Sequence, residues 1–437
     1  MPMPCRFALA ALVLALAACG RPAVPTPATT TVPTPVQAPV PPAASPDPCV
    51  PGPAPQVASA LSGQGEVAFT SGCVVYAAGG PAGTFPLAVP QGGAPVGWSS
   101  DGRWLAITSG TPPARRLWLQ ASSGGPPLAV GLPGTVVAAL WSPSADTLAV
   151  TVDGPPGVWL VAAGSEPRRR AALDGTVSAP LWSPSGRTIA VVETITAADA
   201  AGDTDRIETV PAAGGAPLVQ DQGAPGPALY LAAWWPDAGG LLFWQVPLHG
   251  ASLEDGSWPL QSLRFGGAPT TLAPSAPTFL PPASSLRSAA VAVVTGAGRG
   301  SQSDRQLQLC VPTAVRCSPV GGAPGTVALD PAWSPAGHRL AFVRAADTGI
   351  DNTLATAADV EAWSATVRLC VLDPATGAVT TLAAAGSGVA DPTWSSDGQH
   401  LFFTRRDGAL QSLWLVGSTG GPAVQLASGG DFAVWPA

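Results

Sequence analysis

Lysine is absent from these 437 residues, asparagine occurs once, at Asn352, and there are three histidines, two methionines and two tyrosines. All 20 basic residues are therefore Arg, which reads as compositional bias of the gene and not as a use of arginine for phosphate recognition. Charged residues make up 11% of the chain, against about 25% in an ordinary soluble domain. A formal net charge of -7 and a pI near 4.9 exclude nucleic acid as a partner, since a polyanion is held by a basic footprint. No Gly-x-Ser-x-Gly elbow of a serine hydrolase is present, and no CxxC pair of the kind that holds zinc. His338 and His400 follow similar turns and could pair as ligands, but with His249 they are accounted for as exposed polar residues. No catalytic residue, metal or cofactor is expected.

Gly and Pro are abundant instead, at 51 each, which implies many turns, few long helices and a β-rich fold. The run Arg168-Arg169-Arg170 reads as a charged, solvated edge strand that discourages sheet-to-sheet pairing.

At the N-terminus Arg6 precedes an apolar run from Phe7 to Ala18, too short to span a bilayer and suited to a signal peptide. Leu16-Ala17-Ala18-Cys19 resembles the lipobox of bacterial lipoproteins. The resemblance implies that residues 1–18 are removed and that Cys19 carries at least two acyl chains, enough for stable anchoring. No other segment is long and apolar enough to cross a membrane. The expected location is extracytoplasmic, lipid-anchored to a bacterial membrane. Residues 19–56 are dominated by Pro, Ala, Thr and Val and favour an extended polyproline II tether.

An exported chain lies in an oxidising setting. Cys310 and Cys317 flank a four-residue centre, and a hairpin about Thr313 and Ala314 sets them opposite each other, within disulfide range at the roughly 4.5 Å Cα separation of such a pair. Cys49 and Cys73 form a second candidate bridge, tying the tether to the first strands. Cys370 is left over as a buried apolar filler.

After the tether the sequence repeats itself. Trp98, Trp141, Trp182, Trp234, Trp333 and Trp394 each precede a short polar corner, as in "WSPAG" and "WSSDG", and an apolar run such as "RLAFV" or "TIAVV". The spacings are 43, 41, 52, 99 and 61 residues. The longest is two repeats, the hidden one visible as "RSAAVAVVTG" and "RQLQLCVP". A third apolar stretch follows in each repeat, then a Gly-rich hairpin turn and a fourth stretch, the pattern of propeller blades. These residues resemble the PD40 repeat, the WD40-like unit of TolB-type periplasmic proteins and of the propellers in prolyl-oligopeptidase-like enzymes. The resemblance implies an all-β propeller of four-stranded blades over residues 57–437. Counting gives eight blades, with seven as the alternative. The C-terminal "DFAVWPA" is a lone first strand, with Trp435 lying 41 residues after Trp394, and is expected to close the ring by completing the first blade.

The repeats disagree most between their second and third strands. Four consecutive later repeats carry insertions there: "TITAADAAGDTDRIE", "PLHGASLEDGSWPLQS", "GAGRGSQSDRQ" and "RAADTGIDNTLATAADVEAW". Such loops should share one face, and binding concentrates in long loops on rigid scaffolds. They carry Asp199, Asp203, Asp205, Glu208, Glu254, Asp255, Asp304, Asp347, Asp351, Asp359 and Glu361. The expected function is a binding or scaffolding module of the cell envelope. Its candidate acidic face comprises Asp199, Asp203, Asp205, Glu254, Asp255, Asp347, Asp351 and Asp359, and its partner is a cationic peptide or an envelope protein. The Asp199 to Asp205 spacing does not match a calcium loop. The alternative is a propeller enzyme, a lyase or hydrolase with its site in the axial channel.

Overall fold

A computed structural model describes residues 57–436 apart from 62–64, 72–73, 81–82, 90–92, 198–201, 248–255, 351–354 and 408–409. The signal peptide, Cys19, the tether, the Cys49 to Cys73 pairing, His249, Asp199, Glu254, Asp255 and Asp351 lie outside the described residues.

The chain folds into an eight-bladed β-propeller in which each blade is an antiparallel meander and successive blades follow the chain. Blade 2 shows the pattern, with Ala94–Trp98 innermost, then Trp104–Ser109, Arg116–Ala121 and the short outer Leu128–Ala129. Blade 1 closes the ring. Its second strand, Gly65–Ser71, pairs with Gly430–Pro436, which supplies the missing innermost strand from the other end of the chain. Apolar runs such as "TIAVV" and "RLAFV" are buried on both faces because each blade is covered by a neighbour on either side. Val158, Leu160 and Ala171 of blade 3, for example, pack on Trp182, Ile189, Val191 and Val210 of blade 4.

The tryptophan corners are one hydrogen-bonded unit repeated. At Ser183, Ser99, Ser334 and Ser395 the backbone amide of the residue after the Trp donates to the carbonyl of the residue five positions on. Its hydroxyl also accepts an amide across the corner, from Thr188 to Ser183 at 3.0 Å and from His400 to Ser395 at 2.8 Å. The Gly three residues after each Ser turns back with φ of 67 to 72°, a left-handed conformation that glycine adopts without steric cost.

Each corner Trp bridges blades as well as filling space. Its indole N–H donates to the innermost strand of the preceding blade: Trp141 to Gly97 O at 2.8 Å, Trp182 to Leu140 O at 2.8 Å, Trp234 to Leu181 O at 2.9 Å and Trp394 to Ala332 O at 2.9 Å. In these four the acceptor is the residue just before the preceding Trp, so the bonds run around the ring. Trp98 reaches Ala433 O across the closure at 3.3 Å, and Trp435 turns the other way, to Ser100 O at 3.3 Å.

Blade 6 departs from the four-stranded expectation. Val291–Thr295, Gln306–Val311 and Arg316–Pro319 form three strands, and the first is reduced to the Ala283 to Ala292 bridge. Pro281 and Pro282 immediately precede that bridge, and a residue without an N–H cannot extend a ladder. Ala283 O still accepts the indole N–H of Trp333, at 3.1 Å. Cys310 and Cys317 are directly opposed in this blade and disulfide-bonded, with Cα atoms 3.9 Å apart. Cys370 is buried and free. Among the described residues no helix is long and apolar enough to cross a membrane.

Candidate binding face

Turns of a four-stranded meander alternate between its two ends. The Trp corners and Gly-Gly turns therefore share one face, and the loops between second and third strands share the other with the connections between blades. The strands that flank the four long insertions end on this second face in consecutive blades 4 to 7.

Arg305, 1% exposed, organises the lobe they form. Among the described residues its guanidinium meets no carboxylate and is satisfied by oxygens of the loop: Nε donates to Gly300 O at 2.7 Å, Nη1 to Gly296 O at 2.8 Å and Nη2 to Gly298 O. Nη1 also reaches Ser257 Oγ of blade 5 at 2.9 Å. Thr348 N donates to Gln302 O at 3.0 Å, and Asp304 N to Asp347 Oδ2 at 3.3 Å, so blade 7 is laced to blade 6. Loops of three blades thus form one braced surface.

The acidic residues expected to form a recognition face divide in their roles. Asp203 is exposed, its Oδ1 accepting Ala197 N at 3.1 Å. Asp205 is buried and accepts the Leu229 amide at 2.7 Å, bracing blade 4 against the start of blade 5. Asp347 is exposed and receives the Asp304 and Gly349 amides. Asp359 caps the helix Ala357–Ser364 through a reciprocal box with Thr356, whose hydrogen bonds hold its carboxyl below the usual range. All four accept backbone amides, and burial separates them: Asp203 and Asp347 are exposed, Asp359 is half-buried and Asp205 is buried.

Three acidic residues in the axial channel escaped the sequence reading. Asp330, Asp391 and Asp431 sit on the innermost strands of blades 7, 8 and 1, each at a register break and each with positive φ, of 49, 52 and 47°. Asp391 N donates to Asp330 Oδ2 at 3.4 Å, which joins blades 7 and 8, and the Thr404 and Thr70 hydroxyls donate to Asp391 and Asp431 at 3.3 and 3.4 Å. The corresponding breaks in blades 2, 3 and 5 carry Val96, Val137 and Ala232. Tyr230 on the innermost strand of blade 5 is 39% exposed, its phenol pKa raised by burial and by the Asp205 charge. The breaks are thus acidic in blades 7, 8 and 1 and apolar in blades 2, 3 and 5. The strings "LDPAW" and "ADPTW" held the signal: an Asp before Pro, three residues ahead of the Trp.

A second missed feature is the carboxyl pair Glu193 and Glu208, both buried on the blade 3 side of blade 4. Glu193 Oε1 accepts the amides of Asp174 at 2.6 Å and Gly175 at 2.9 Å. Burial and then the neighbouring Glu193 push the Glu208 carboxyl well above its usual range. His338 and His400 stand in the corners of blades 7 and 8, on the other face. Among the described residues no three His, Cys, Asp or Glu side chains are grouped to hold a metal ion.

No family model and no curated protein matches the chain. Among solved structures it is similar to prolyl oligopeptidase B from Galerina marginata, with TM-score 0.52 and 10% identity over 76% of this chain and 50% of that one. It also aligns with TolB from Acinetobacter baumannii, with TM-score 0.37 and 14% identity over 85% and 67% of the two chains. The oligogalacturonate lyase from Vibrio parahaemolyticus gives TM-score 0.47 and 12% identity over 80% and 98%. The chain spans about half of the prolyl oligopeptidase, and that likeness is one of fold alone.

Proposed function

We propose that this propeller is an extracytoplasmic binding module, held at a bacterial membrane through diacylated Cys19, that captures a cationic peptide or a basic patch of an envelope protein on its loop-bearing face. The observation that carries this reading is the braced lobe of blades 5 to 7, organised by Arg305, on the face where the strands flanking the insertions of blades 4 to 7 end. A rigid, loop-built surface pre-organises recognition at low entropic cost. Exposed Asp203 and Asp347 supply charge to it, and Asp330, Asp391 and Asp431 extend that charge into the channel. Acidic surface steers a basic partner and sets its orientation.

The test is cross-linking in whole cells with the loop-face double variant Asp203→Asn and Asp347→Asn and the corner-face variant Asp237→Asn. Loss of the cross-linked partner with the first and retention with the second supports the reading, whereas equal capture by both contradicts it.

A lyase or hydrolase acting in the axial channel is favoured by one observation, the positive φ of Asp330, Asp391 and Asp431, since backbone strain concentrates at functional sites. For that reading Asp391→Asn would abolish turnover of a small substrate while leaving partner capture intact.

A further inference from the structure

On the opposite face, between blades 3 and 4, lies a cavity of about 470 Å³ lined by Leu160, Trp182, Ser142, Ser165, Arg168 and Arg170. Its volume is in the range of small-ligand sites, and its two arginines come from the run that the sequence suggested was only a solvated edge.

That run is indeed the outer strand of blade 3, Arg168–Ala172, but alternation divides its charges. Arg169 lies over the Trp159 ring at 6.0 Å and donates Nη2 to Pro156 O at 2.8 Å. Arg168 is opposite Leu160, which packs into the interface with blade 4, and Arg170 falls at the register break beside it. Both line the cavity. Arg170 is half-buried; its Nε is buried with no hydrogen-bond partner, and Nη1 has only a 3.5 Å contact to Ala213 O. A buried charged donor left unsatisfied is costly, and each such group in a native structure calls for an explanation. Glu166 also lines the cavity but is exposed, and among the described residues only Arg103 makes ion pairs.

We propose that this crevice binds a phosphate monoester, gripped between Arg168 and Arg170. Two guanidinium forks, charged at every physiological pH, match a dianion with three terminal oxygens better than a carboxylate, which a single fork satisfies. The Ser142 and Ser165 hydroxyls add donors at the wall, and the apolar floor of Leu160 and Trp182 suits the body of a small organic ester. A long polyanion is disfavoured by the overall charge of -7.

The experiment is calorimetric titration of the mature chain with inorganic phosphate and with glucose 6-phosphate at low ionic strength. A parallel flotation assay of the Cys19→Ser chain, which carries no acyl anchor, uses phosphatidic acid vesicles, whose headgroup is a phosphate monoester. Saturable phosphate binding is expected, weakened about tenfold by Arg170→Met and similarly by Arg168→Met, and unchanged by Arg169→Met. Arg170-dependent binding of the sugar phosphate assigns a soluble ester, and Arg170-dependent flotation without sugar phosphate binding assigns a lipid headgroup. Absence of saturable binding of every probe by the wild type, or equal weakening by Arg169→Met, overturns the proposal.

Discussion

At one end of blades 2, 4, 7 and 8 a Ser after a Trp makes the same corner, with the same acceptor five residues on and the same left-handed Gly. At the other end of blades 4 to 7 no two loops are alike. They are held by contacts that occur once: Arg305 to three glycine carbonyls, Thr348 to Gln302, Asp205 to Leu229. The corner face repeats one bonded unit around the ring, whereas the loop face joins neighbouring blades through contacts made once each. Periodic contacts between neighbouring repeats carry the stability of such a ring, and the contacts made only once fall on the face proposed to bind.

The strongest way to break the comparison is to remove residues 429–437. This strips blade 1 of its innermost strand, uncovers the edge of Gly65–Ser71, and takes away Phe432 and Val434 from the core shared with blade 8. The cooperative thermal transition should be lost, and an unchanged melt would show that the ring does not need this closure.

Trp182→Ala should cost about 3–5 kcal/mol, since the side chain is buried between blades 3 and 4. Trp182→Phe, which keeps most of the packing but loses the bond to Leu140 O, should cost nearer 1 kcal/mol from that bond. Denaturant midpoints at constant slope would measure both.

Arg305→Met should act on the other face alone. It leaves the carbonyls of Gly296, Gly298 and Gly300 without their shared donor, at about 1–3 kcal/mol. Hydrogen exchange should accelerate at 296–304 and 347–349 with the corner amides unaffected, and equal acceleration at the corners would erase the distinction between the faces.

The smallest expected effect concerns pH. Burial pushes the Glu66 carboxyl from its ordinary 4.5 up to about 7, and Glu208, sharing a buried site with Glu193, is raised as well. Both stay protonated in the fold where the unfolded chain has already ionised. The unfolded state therefore binds fewer protons, and the stability these groups contribute is full below about pH 4.5 and falls as pH rises towards 7. Glu208→Gln should flatten that decline in a series of denaturation curves, and an unaltered slope would mean that the pair does not hold its proton.

Blade number was legible because Trp, Pro and Gly act locally: the corner is made within six residues, and its spacing counts repeats without knowledge of their neighbours. The ring closure was legible for the same reason, since Trp435 keeps the period. The first strand of blade 6 was obscured by Pro281 and Pro282, which remove ladder donors without changing the apolar look of the segment. Loop acids were legible only as composition. Whether an Asp is a surface charge or a brace depends on where a distant amide lands, as with Asp205 and the Leu229 N–H, 24 residues on. The pairing of Glu193 with Glu208 likewise needs strand register, and the split of Arg168, Arg169 and Arg170 between two sides of a strand needs to know what covers each.

The account stands most directly on which face meets the partner. A photo-cross-linking residue placed in living cells at Asp203 or Val360 on the loop face, and at Asp237 or Gly266 on the corner face, would decide it. One discrete cross-linked protein is expected from the loop positions and none from the corners; the same protein captured from the corner positions, with the loop positions silent, would contradict a partner on the loop face.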